Sequence, residues 1–169
     1  DRHAGQRPSL AVREARIRLA RILKRALGGD GHEGVETGAK PLDTAEQIAT
    51  DLFAPHARKS DLNEPHFDGE RVHLVPEVKQ ALDAFVAAGL MAAEHDEEFG
   101  GMQLPIVVAK AAFAYFKGAN VASSGYAMLT VGNANLLLAH GSPAQVDAFV
   151  RPELAGRFFG TMCLSEPQA

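Results

Sequence analysis

The chain has 169 residues, 46% apolar and 22% charged, with a formal net charge of −4 and a single cysteine, Cys163. That length suits one domain with a real core, or one and a fraction. No run approaches the roughly 18 apolar residues of a membrane span, no apolar leader with a small-residue cleavage site opens the chain, and one cysteine allows no internal disulfide, so a reducing cytoplasm is the expected setting.

Charge is unevenly spread. Residues 1–40 hold nine Lys/Arg against five acids, a balance of +4, and the remaining residues balance at −8. Within the first part, "LAVREARIRLARILKRAL" places Val12, Ala15, Leu19, Ile22 and Ala26 on one helical stripe with a basic face opposite. "GGDGHEGVETG" then reads as loop or disorder, because it offers too few apolar groups to offset ordering entropy. A boundary is expected near Lys40–Pro41, dividing a basic, Gly-rich segment 1–40 from a domain over 41–156.

The next helix is "PLDTAEQIATDLFAP". Thr44 and Gln47 stand at capping-box spacing, and Ala45, Ile48, Ala49, Leu52 and Phe53 form the apolar face. Pro55 is expected to bend or end it, with "HARKSDLNEPHFDGE" as polar connection. "VPEVKQALDAFVAAGLMAA" repeats the plan: Pro76 in the first turn, a stripe of Val78, Ala81, Leu82, Phe85 and Val86, and Gly89 as the stop.

After the acidic loop "EHDEEFGG", an apolar helix is predicted from about Pro105 to Lys117. A small-residue link leads to "SSGYAMLTVGNANLLLAH", a long and mostly buried helix ending at Gly141. In "GSPAQVDAFVRP", Ser142 is the N-cap, Pro143 takes the first helical position, Gln145 closes the box and Pro152 ends the helix. "GRFFGTMCLSEP", aromatic and apolar between glycines, reads as a strand.

Few side chains suggest chemistry by themselves. The glycines over 28–38 lack the Gly-Lys-Ser/Thr ending of a phosphate loop, so a linker is the better reading. The seven histidines show no metal-ligand spacing. Cys163 reads as a small buried side chain on a strand rather than a nucleophile. The acids of "DEEFGG" read as a solvated loop with glycines at a tight turn. The basic helix has no aromatic interleaving, so a solvated helix or mobile arm is favoured over a nucleic-acid or acidic-membrane contact.

Three stretches, "DEEFGGMQLP", "LLLAHGSPAQVDAFVRPELAGRFFG" and "TMCLSEPQA", together resemble the acyl-CoA dehydrogenase family of flavoproteins, over residues 42–169. Phe99 stands where the family usually has Tyr, and Ser165 takes its Thr/Ser position. The wording is most similar to the large bacterial type, which includes 3-(methylthio)propanoyl-CoA dehydrogenases.

The resemblance implies an all-α N-terminal helical bundle, followed over 157–169 by the first strand of a truncated β-barrel domain. It implies FAD, with α-proton abstraction from an acyl-CoA and β-hydride transfer to flavin N5 to give a trans-2-enoyl-CoA. Backbone N–H groups at Met162, Cys163, Leu164 and Ser165 would meet the pyrimidine edge, where charge develops, with the Ser165 hydroxyl near N5. Glu166 and Pro167 would shape the turn. The acyl pocket would draw partly on "YAMLTVGNANLLL".

No catalytic residue is assigned here: the family's catalytic glutamate is expected beyond Ala169, as is the Gly-Ser that contacts CoA. The 169-residue polypeptide alone is therefore expected neither to hold FAD stably nor to turn over. Implied partners are an electron-transfer flavoprotein and further copies of the chain, with no nucleic acid and no membrane. An acyl-CoA oxidase, a flavin monooxygenase and a non-catalytic helical interaction module stand as alternatives.

Overall fold

A computed structural model describes residues 32–161 together with Cys163 and Pro167. The basic helix over 10–27 and site residues Met162, Leu164 and Ser165 lie outside them. The described chain is mostly helical, with one small two-stranded sheet.

The first helix, α1 (His32–Ile48), starts earlier than expected. Residues 32–40 are helical rather than loop, and Thr44 is inside the helix, where it cannot act as an N-cap. The physical reason is cooperativity: once Ala45 and Ala49 are buried, each added residue extends an existing helix without a new nucleus. Pro41 is accommodated within it.

Pro55 does not end this segment either. The chain widens into a π-turn (Ala49–Phe53), tightens to a 3-10 turn (Ala54–His56) and continues as α2 (Ala57–Leu62). The same device recurs near the other end. There α6 (Pro143–Gln145) passes through a π-turn (Val146–Val150) into α7 (Arg151–Leu154), so Pro152 is inside the run rather than at its end.

In both places one wide bond, Ala54 N–H to Ala49 O or Arg151 N–H to Val146 O, comes directly before the proline. A proline ring in a regular helix collides with the carbonyl four residues back, and the wider turn opens the space it needs. Helix α7 ends instead at Gly156 (φ +69), where Arg157 N–H returns to Pro152 O.

The stretch expected to be polar connection contains a hairpin, β1 (His66–Phe67) paired antiparallel with β2 (Val72–His73). Its turn is held by Asp68, whose carboxylate accepts the N–H groups of Glu70 and Arg71 and bonds the His73 ring. Those bonds, the His73 bond first, lower the Asp68 pKa to about 2.

Helices α3 (Pro76–Ala87) and α4 (Ile106–Ala119) follow the sequence pattern closely, and α5 (Val121–His140) has the expected extent. It is not mostly buried, however: only Ser123, Ser124, Ala127, Thr130 and Ala134 are, because the described elements pack against one stripe of it. A 3-10 turn (Glu97–Phe99) replaces plain loop within "DEEFGG". One residue joins α4 to α5. The Asn120 N–H caps α4 at Phe116 O, and its side chain accepts the Ser123 N–H to start α5. The Ser142–Gln145 capping box forms as predicted.

The core is aromatic at its centre. Phe53, Phe85 and Phe116 are fully buried and meet edge to face, with Phe116 centroids 4.9 Å from Phe53 and 4.8 Å from Phe85. Each such ring contributes about 1.5–3 kcal/mol by burial, and the edge contacts roughly 0.5–1.5 kcal/mol more. This cluster ties the α1 segment to α3 and α4.

The expected strand is not seen in its described part, as residues 157–161 form bends and irregular backbone. A strand needs a neighbour to complete its ladder, and none lies beside this segment among the described residues.

Candidate functional site

A groove of about 990 Å³ runs between α2, the approach to α3, the α4–α5 corner and the segment Phe159–Thr161. Its floor at the corner is held from beneath. His56 and Ser123 are hydrogen-bonded at 2.8 Å, and Asn120 Nδ2 donates to Phe53 O at 3.3 Å. Small residues Gly125 and Ser123 keep it open, Tyr126 and Leu129 make it apolar, and Lys117 and Asn63 place polar groups at its margin.

The far end of the groove is formed by the chain that leads to Met162. Phe159 meets Tyr126 edge-on at 6.2 Å, and the Gly160 N–H donates to Thr130 Oγ1 at 3.0 Å. Thr130 in turn donates to Tyr126 O at 2.7 Å. Under Gly160 lies Glu153, 2% exposed, whose Oε1 accepts Asn133 Nδ2 at 2.8 Å. Burial pushes the Glu153 pKa up, and the Asn133 bond offsets part of that rise.

A second, apolar cavity of about 230 Å³ lies on a different face of α5, lined by Met91, Phe113, Phe116, Met128 and Val131 among others. The helix "YAMLTVGNANLLL" thus serves two spaces: Tyr126 and Leu129 face the groove, and Met128 and Val131 face the cavity.

Of the site residues expected from sequence, only Cys163 is described, and it is exposed rather than buried. A strand side chain is covered only by a second layer, and the described residues supply none there. Among the described residues no cluster of three or more His, Cys, Asp or Glu could hold a metal. No helix among them is long and apolar enough to cross a membrane.

Sequence reasoning missed Glu153, Asn133, Thr130, His56 and Ser123. A signal for Glu153 was available: it continues the Val146–Val150 stripe at helical spacing, with Leu154 beside it.

Residues 38–157 match the family described as acyl-CoA dehydrogenase, N-terminal domain. The chain belongs to the acyl-CoA dehydrogenase family. It is also 35% identical over 128 residues to 3-methylmercaptopropionyl-CoA dehydrogenase of Ruegeria pomeroyi, an alignment covering 76% of this chain and 22% of that relative.

Proposed function

We propose that this chain supplies the N-terminal helical part, and the opening of the flavin site, of an FAD-dependent acyl-CoA dehydrogenase. The observation that carries the reading is family membership joined to one piece of geometry. The chain approaching Met162–Ser165 is seated at the end of the large groove, with Cys163 open to solvent. That exposure fits a backbone cradle, since N–H groups on buried chain would already be spent.

Bound FAD would supply the hydride acceptor for oxidation of an acyl-CoA to a trans-2-enoyl-CoA. Met162, Cys163, Leu164 and Ser165 would hold its pyrimidine edge by backbone N–H donors, and the Ser165 hydroxyl would lie near N5. The groove beside Tyr126 and Leu129 would take part of the acyl thioester. An electron-transfer flavoprotein as acceptor, assembly with further copies, a middle β-domain opening at 157 and a cytoplasmic setting belong to the same proposal.

The test is to purify the complete product of the reading frame that contains these residues. It is then offered acyl-CoAs of graded chain length, with 3-methylmercaptopropionyl-CoA among them, and an artificial electron acceptor. Acyl-CoA-dependent acceptor reduction with enoyl-CoA formation is expected, and peroxide formation in air would mark an oxidase. A flavin-free protein that reduces nothing would leave the helical interaction module as the better reading.

A further inference from the structure

We infer that Glu153 is a positioning residue: it fixes where the chain after Gly160 leaves the helical domain, and so where the proposed flavin-binding N–H groups stand. The inference rests on the reading above. Its observations are local. Glu153 is 2% exposed in a short helix whose apolar neighbours Val150 and Leu154 are also buried. An acid there costs more than the leucine or methionine that would fill the same stripe, so packing alone does not account for it.

The carboxyl is fixed by Asn133, which donates to Oε1, while Oε2 is buried without a partner among the described residues. Above it lies Gly160. A Cβ built there would stand 2.7 Å from Glu153 Oε1 and 3.1 Å from Asn133 Cβ. A methyl at position 160 would thus meet the end of the Glu153 side chain, which burial and the Asn133 bond hold in place, and would crowd Asn133. The other side of the clamp is Thr130 Oγ1, which accepts the Gly160 N–H, and Phe159 is held edge-on to Tyr126. Between carboxyl and hydroxyl, Gly160 has one seat, three residues before Cys163.

The test uses the complete gene product, deflavinated and titrated with FAD, with hydrogen exchange over residues 157–161 as a readout independent of flavin. Gly160→Ala sets its methyl against the Glu153 carboxyl, so that carboxyl or segment must shift, and is expected to weaken FAD binding roughly tenfold, the size of one misplaced hydrogen bond, and to speed exchange. Adding Glu153→Ala removes the group the new methyl meets, so the double variant is expected to bind FAD several-fold tighter than Gly160→Ala and to regain slow exchange. Glu153→Gln keeps the volume and is expected to stay close to wild type in both readouts.

A general loss of stability would not be reversed by a second truncation in the core. Wild-type FAD affinity in Gly160→Ala, or a double variant no tighter than the single, would overturn the inference. Should the wild-type protein bind no flavin, the flavin reading fails, and the exchange measurements alone decide the clamp.

Discussion

His56 and Ser123, 67 residues apart in sequence, are hydrogen-bonded at 2.8 Å inside the protein, linking the α1 segment to the first turn of α5. The other ring nitrogen, Nδ1, lies 2.7 Å from Leu52 O. A carbonyl only accepts, so Nδ1 carries a proton, and in the neutral ring Nε2 is then the acceptor of the Ser123 hydroxyl. Ser123→Ala leaves that nitrogen buried and unpaired, an expected loss of about 1–3 kcal/mol in urea unfolding. Once His56 has been replaced by Ala, the serine substitution should cost far less. Equal costs in both backgrounds would show that the pair is not coupled.

The Arg151 guanidinium lies 4.8 Å over the Phe99 ring and donates to Glu98 O at 2.6 Å, with Asp147 on its Nε at 2.9 Å. Arg151 thus pins the "DEEFGG" turn to the π-turn segment. Stacking and donation both use the planar fork, which lysine lacks. Arg151→Ala is expected to lose about 0.5–1 kcal/mol, the exposed cation–π range, and Arg151→Lys should recover little of it. Thermal unfolding of the two variants checks this, and full recovery by lysine would show that charge alone suffices.

The helices α3, α4 and α5 and the Ser142 capping box were legible because apolar spacing and cap residues agreed. Pro152 misled, and Pro55 changes the helix type rather than ending the run, because a breaker acts on a regular helix, and the π-turns before each are not visible in residue types. The hairpin was hidden for a different reason. It is held by one side chain, Asp68, over a short polar turn, and its strands have no alternating apolar face. The groove and the clamp of the candidate site were not legible. Motif order pointed to residues 162–165, but the clamp beneath Gly160 joins α5 to α7 through contacts that no local pattern announces.

Glycine substitutions should separate the two kinds of loop and helix glycine. At Gly101 a Cβ would collide with the His95 backbone carbonyl. That carbonyl accepts the Gln103 N–H, and the Gly101 N–H is bonded to Asp96 O. Gly101→Ala therefore displaces backbone, with an expected loss of more than about 1 kcal/mol. Gly125, inside α5, has open space around its Cα, so Gly125→Ala should stabilise by roughly 0.5–1 kcal/mol through helix propensity. Because Gly125 lines the large groove, a fall in acyl-CoA affinity in that stabilised variant would place the ligand there. Unfolding midpoints and an acyl-CoA titration read both effects.

Glu153 should also show in the pH dependence of stability. Its pKa is raised in the folded protein, first by burial and against the Asn133 bond. Between its unfolded and folded pKa values the native state holds more protons, so unfolding free energy falls as pH rises through that window. Its stabilising share is therefore complete below the unfolded carboxylate pKa and is lost as pH climbs through the folded value. Glu153→Gln has no proton to lose there. The difference between wild type and Glu153→Gln, measured by denaturant unfolding at a series of pH values, should move in favour of the variant as pH rises from the acid side and level off above the folded pKa. Asp68, held down to about 2, acts at the opposite edge, losing its contribution as pH falls toward that value, and it cancels in the comparison. Parallel curves for the two proteins would mean that water or a nearby donor already solvates the Glu153 carboxylate.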